Sequence, residues 1–171
     1  SNTASLVGGG GLSTQTGICS VTGGSFENNR ATVGGRGGGI YCGGPTLTVT
    51  GTHFLSNTAA ERGGGMSGNA LFLSNATLIN HVAGGAGGGA DSTGSLQVFN
   101  SLVQNNRTQT NGGGFASGCT VFVANSQFVS NTAQGDGTYG GGAIAATLTI
   151  TTVASDFRGN IAATSPGGAL S

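Results

Sequence analysis

Apolar residues alternate with other residues in five short stretches of the chain: Leu47/Val49, Leu71/Leu73, Leu96/Val98, Val121/Val123 and Leu148/Ile150. A period of two is that of a strand with one buried face. No window carries the 3.6-residue period of a helix. Between the strands stand glycine runs, each closed by one apolar residue: Leu12, Ile40, Met66, Ala90, Phe115, Ile144 and Leu170, at steps of 28, 26, 24, 25, 29 and 26. A second register moves with the first. Phe26, Phe54, Leu78, Leu102, Phe128 and Phe157 are each followed, three residues later, by Asn29, Asn57, His81, Asn105, Asn131 and Asn160.

A unit of this length is about one coil of a solenoid. Each unit returns the same residue types at the same phase, so strands stacked in parallel place every slot on its copy, whereas a meander would invert alternate units. Parallel strands joined by crossovers are overwhelmingly right-handed. The expected fold is therefore all-β: a right-handed, single-stranded parallel β-helix of about six coils, with three short strands per coil. One strand begins at the glycine-run residue, one is the alternating stretch, and one carries the Phe and Asn slots. At ~4.8 Å per strand step the rod is about 29 Å long. Residues 1–171 form one solenoid domain that starts and ends inside a repeat, since Ser1-Asn2-Thr3-Ala4 repeats the letters of Ser56–Ala59 and the chain closes on a glycine run.

Stacking gives each slot a task. Phe26, Phe54, Leu78, Leu102, Phe128 and Phe157 are expected to form an apolar column in the core. Asn29, Asn57, His81, Asn105, Asn131 and Asn160 are expected to form a ladder, because an amide both donates and accepts between coils and Asn tolerates the left-handed bend of a corner. The loop between the ladder residue and the next glycine-run residue varies most in length. A binding face is expected there.

Composition narrows the class. The chain has 37 glycines but only two prolines, against collagen and against a Pro-rich linker. Lysine is absent and charged residues are 6%, so nothing attracts nucleic acid. β-Branched and aromatic residues at fixed phase argue against disorder. No run approaches the roughly 20 apolar residues of a membrane-spanning helix, and no signal peptide opens the sequence. Cys19, Cys42 and Cys119 match no metal spacing. Cys19 and Cys42 fall in adjacent coils but at different phases, so three separate thiols are favoured over a bridge, which needs Cα atoms within about 7 Å.

Catalytic constellations are not expected. The five acids, Glu27, Glu61, Asp91, Asp136 and Asp156, are scattered over different coils and loops, whereas glycoside hydrolysis needs a carboxylate pair. His53 precedes the Phe slot and should face outward, while His81 sits in the ladder, so the two share no proton relay. The phosphate-binding GxxxxGK[ST] motif requires a lysine that the chain lacks. Gly135-Asp136-Gly137 occurs once and reads as a turn. No metal or cofactor is implied. Arg36 and Arg62, each four before its glycine-run residue, should form a solvated cluster with Glu61. Thr46/Thr48/Thr50 and Thr147/Thr149/Thr151 suggest an ice-binding array, but the intervening coils put Phe72, Phe99 and Phe122 on that sheet. Those three phenylalanines are a candidate interface.

Gly37–Ala59 (GGGIYCGGPTLTVTGTHFLSNTA) and Gly141–Ala162 (GGAIAATLTITTVASDFRGNIA) resemble the GGxI plus FxxN repeats of the polymorphic-membrane-protein type. Such repeats occur in chlamydial surface autotransporters and in large secreted β-helix proteins of other bacteria. The resemblance covers all six coils and implies a β-helix exported to the cell surface, with adhesive or structural roles. The chain departs from the family in lacking a C-terminal barrel and in placing His81 in the ladder. The expected function is a non-enzymatic extracellular scaffold, an adhesin or stalk segment or a self-assembling fibre subunit. Expected partners are other copies of the chain, head to tail or lateral, a larger flanking chain, or a cell-surface receptor or glycan. The alternative is a carbohydrate-binding or carbohydrate-active β-helix with its site in the variable corner, and ice binding follows it.

Overall fold

A computed structural model of the chain describes residues 2–5, 8–135, 140–164 and 167–171. Among these residues the regular structure is strand only, and strands pair in parallel with their copies one coil away. The protein is a parallel β-solenoid of about six turns with three faces.

The first face is a ten-stranded sheet that holds both the glycine-run strand and the alternating strand of each coil. In the second and third coils these run on as single strands, Ile40–Thr50 and Met66–Ser74. The second face stacks the six Phe-slot strands, Ser25–Glu27 through Asp156–Arg158. The third is made of seven two-residue strands, Thr3–Ala4 through Ile161–Ala162, each directly after a ladder residue. Two residues show no periodicity, so this face has no pattern of its own in the sequence.

The corners explain the wealth of Gly and Asn. Each coil bends at left-handed residues, which stand directly before the ladder residue at one corner and before Gly24, Thr52, Ala76, Ser101, Ser126 and Ser155 at another. One series is Asn28, Ser56, Asn80, Asn105, Ser130 and Gly159; the other is Gly23, Gly51, Asn75, Asn100, Asn125 and Ala154. Gly37, Gly63, Gly87, Gly112 and Gly167 make the third. Left-handed backbone is costly for most L-residues and cheap for Gly and Asn. The next glycine has a different reason: a Cβ on Gly88 would collide with the carbonyl oxygen of Gly113 and the backbone of Arg107. Backbone meets backbone at this corner, and only glycine fits.

Apolar columns fill the prism. Ile40, Met66, Ala90, Phe115 and Ile144 lie one above the other, all fully buried. Phe54, Leu78, Val103 and Phe128 make a second column, flanked by stacked pairs Phe26–Phe54 and Phe128–Phe157 with ring centroids 5.1 and 5.0 Å apart. Each large buried side chain contributes on the order of 1.5–3 kcal/mol.

Four positions correct the sequence reading. Leu102 is not the core residue of its coil: Leu78 pairs with Val103, which is fully buried, while Leu102 is half-buried on the outside. Asn105 moves with it, being the left-handed bend residue, φ 54°, while Asn106 enters the ladder. Two adjacent Asn allow either phase at the same spacing of three, and the bend residue decides it. In the last coil, Ile150 and Thr152 take the inward slots and Leu148 is 70% exposed. Cys19 and Cys42 form a disulfide, with Cα atoms 6.3 Å apart. The register between the second and third coils shifts between Cys42 and Thr46, so residue spacing misstates where Cys42 lies relative to the strand that follows it.

Candidate functional site

The inner corner carries the ladder: Asn2, Asn29, Asn57, His81, Asn106, Asn131 and Asn160. Asn106 donates its backbone N–H and its Nδ2 to Asn131 Oδ1, at 3.1 and 2.9 Å, and Asn131 does the same to Asn160 Oδ1 at 3.0 and 2.9 Å. Each Nδ2 also reaches back to a Phe-slot carbonyl, Asn131 to Val103 and Asn160 to Phe128. Both polar ends of each amide are thereby satisfied in a dry interior. His81 keeps only part of this scheme, since its buried Nε2 has no hydrogen-bond partner among the described residues. Its Nδ1 accepts the Asn57 N–H at 2.9 Å and its own N–H donates to Asn106 Oδ1 at 3.0 Å. Burial drives its pKa down to about 3, so the imidazole is neutral.

A second polar ladder runs along the neighbouring corner, two residues before the Phe slot. The N–H groups of Ala76, Ser101 and Ser126 donate to the hydroxyls of Ser101, Ser126 and Ser155 one coil on, at 3.1 to 3.2 Å. Each serine hydroxyl donates in turn to a carbonyl two residues earlier, Phe99, Ala124 or Val153. The sequence analysis missed it, although the constant spacing to Phe128 and Phe157 was a usable signal.

The outer surface of the glycine-run strands is different. Its outward column reads Tyr41, Ser67, Asp91, Ala116 and Ala145. From Asp91 onward the side chains are short, and the loops on either side stand above them. The result is a trough of about 640 Å³ across the third to sixth coils, with Asp91, Ala116 and Ala145 along its floor and Arg62, Asn111 and Thr147 on its walls. This volume lies in the range of small-ligand sites.

Asp91 is 3% exposed. One carboxylate oxygen lies 3.9 Å from Arg62 Nη1, and the other, Oδ2, has no hydrogen-bond partner among the described residues. Burial pushes its pKa up to about 6, against the pull of Arg62, Arg36 and the Ser67 hydroxyl. Asn111 Oδ1 on the wall is likewise buried and unpartnered. Two orphaned acceptors and one guanidinium thus share one concavity. A ligand that donates hydrogen bonds would satisfy both acceptors.

The other candidate residues stay apart. His53, Glu27 and Glu61 are exposed, and Asp156 pairs with Arg158 at 2.6 Å on the surface. Asp136 lies outside the described residues. Arg36 bonds Glu61 at 3.1 Å as expected, but Arg62 turns to Asp91 instead of joining them. No group of three potential metal ligands exists among the described residues. Phe72, Phe99 and Phe122 form a half-buried zigzag on the alternating-strand face, ring centroids 5.4 and 5.6 Å apart. One outward column there reads Thr48, Phe72, Gln97, Phe122 and Thr151, so no uniform threonine array exists. Among the described residues no helix is long and apolar enough to cross a membrane.

Fold and site together define a β-solenoid with a laddered interior and a trough on its flank. Comparison of the chain with protein-family models, with curated proteins and with solved structures finds no match.

Proposed function

We propose that the protein is a non-enzymatic extracellular β-helix, a structural and adhesive segment of a bacterial surface protein. The observation that carries this reading is the Cys19–Cys42 disulfide, which clamps two successive coils. Structural disulfides persist in oxidising compartments and are rare in the reducing cytosol. The repeat resemblance to polymorphic-membrane-protein sequences, carried by GGxI and FxxN, points to the same compartment. The trough supports the adhesive half: it holds one carboxylate among the described residues, whereas glycoside hydrolysis uses two. Lateral contact with another copy through Phe72, Phe99 and Phe122 belongs to the same proposal.

The test is localisation in the source cells. An antibody to the folded rod should label intact, unpermeabilised cells or the culture medium, and thiol labelling of the native protein should find Cys119 reactive with Cys19 and Cys42 blocked. Confinement to the cytoplasm, with all three thiols reactive, defeats the reading.

A further inference from the structure

At the trough the solenoid departs from its own economy of polar groups at two acceptors. Along the asparagine ladder donors and acceptors are matched coil by coil except at His81, whose buried Nε2 has no partner among the described residues. On the trough floor, a carboxylate shut away from solvent leaves Oδ2 unmatched, and Asn111 Oδ1 stands unmatched on the wall. A buried acceptor without a partner costs on the order of 1–3 kcal/mol. Both acceptors belong to residues that line one cavity, yet both atoms are closed off from water, so a ligand's hydrogen-bond donors reach them once the lining side chains shift.

What kind of donor follows from Arg62. The guanidinium 3.9 Å from Asp91 balances its charge. An ammonium or guanidinium ligand would have to displace or crowd this cation, and an anion would meet Asp91. A neutral ligand meets neither penalty. It must offer O–H donors to Asp91 and Asn111 and oxygen acceptors to the Arg62 fork, and vicinal hydroxyls do both. The floor is smooth where it must be, since Ala116 and Ala145 leave room along the rod axis across successive coils. An elongated ligand lies more naturally there than a globular one.

We propose that the trough binds a saccharide of about two rings, whose hydroxyls, as the lining side chains shift to uncover them, donate to Asp91 Oδ2 and Asn111 Oδ1 while Arg62 donates to a sugar oxygen. The proposal names the ligand of the adhesive scaffold proposed above and rests on that reading only in that the sugar is held and not cut.

The test is calorimetric titration of the intact chain with maltose, cellobiose, lactose and N,N′-diacetylchitobiose, and with spermidine as a cationic contrast. At least one disaccharide should bind at millimolar concentration or below. Asp91→Ala and Asn111→Ala should each weaken it roughly tenfold, the loss of one buried hydrogen bond. Ala116→Phe, which fills the floor, should abolish binding, and Glu61→Gln, outside the trough, should leave it unchanged. Should Asp91→Ala fail to fold, Asn111→Ala and Ala116→Phe decide the matter. Absence of binding to all four sugars, binding that survives Ala116→Phe, or binding of spermidine alone overturns the proposal. Release of new reducing ends on prolonged incubation with a bound sugar would instead overturn the non-enzymatic reading while leaving the site in place.

Discussion

His81 and Asp91 are both titratable side chains shut away from water, and the solenoid treats them in opposite ways. His81 keeps the ladder's backbone links, its Nδ1 accepting the Asn57 N–H and its own N–H donating to Asn106 Oδ1, while its buried Nε2 has no partner among the described residues. Asp91 occupies a column with no repeating bond scheme, between Ser67 and Ala116, and keeps an oxygen free. An inward slot is dictated by the coils above and below it, so an irregular residue there must keep the links to the backbone and side chain of its neighbours along the ladder. An outward slot is under no such rule. Irregularity on the outside is therefore the better guide to function.

The sharpest way to separate the two is acid titration. His81 has a folded pKa lowered from 6.5 to about 3, so the unfolded chain takes up the proton first and stability falls as pH drops through that window, by on the order of 5 kcal/mol. Asp91 works the other way. Its folded pKa is raised from 3.8 to about 6, so the folded state takes up the proton first and stability rises as pH falls through that window, by on the order of 3 kcal/mol. Urea unfolding of the wild type should thus show a shallow pH dependence between pH 6 and 4. The Asp91→Asn variant should show the full histidine loss, and His81→Asn should remove it. Equal slopes in wild type and Asp91→Asn would mean that the carboxylate is not held out of water.

Next in size is the ladder itself. Asn131→Val removes the acceptor of the Asn106 N–H, one of the two bonds of Asn106 Nδ2 (the other, to Leu78, remains) and the donor to the Val103 carbonyl. With about 1–3 kcal/mol for each buried group left without a partner, a loss of roughly 4 kcal/mol and a thermal midpoint lower by about 10 °C are expected, read by circular dichroism. A change below one degree would show the ladder to be ornamental. At neutral pH, Asp91→Asn should raise the urea midpoint by an amount equivalent to roughly 3 kcal/mol, because the wild type keeps a charged carboxylate in a dry site. That gain would mark the trough as strained for a purpose. Reducing the Cys19–Cys42 bond, which spans 23 residues, should cost about 3 kcal/mol. Hydrogen exchange should place the loss in the first two coils and leave His81 and Asp91 untouched. The smallest effect belongs to the half-buried stripe, where Phe122→Ser should cost about 1 kcal/mol from lost ring contacts.

The interior was readable from residue letters and the outside was not. Phe54, Phe128, Asn57 and Asn131 announce their columns because stacking demands the same chemistry at every turn. Coil four shows where such reading slips: Leu102/Asn105 and Val103/Asn106 satisfy one spacing equally well, and only the left-handed bend at Asn105 tells them apart. The serine ladder was legible but hidden by Ala76 and Gly24 standing in its slot. The Cys19–Cys42 bond was misread because extra residues between Cys42 and Thr46 break the phase on which the reasoning relied. Asp91 carried no sequence signal, since its burial comes from loops of neighbouring coils and from Arg62 one turn away.

Corner geometry has one further consequence. The pivot glycines Gly63, Gly87 and Gly112 each fall six residues after Asn57, His81 and Asn106, whereas Gly37 falls eight after Asn29. Chain length at that vertex is thus free to change while the stacked spine stays in step. Foreign peptides spliced there, between the ladder amide and its pivot, would be displayed at a fixed height along the rod, making the molecule a ruler on which surface features can be exchanged one rung at a time.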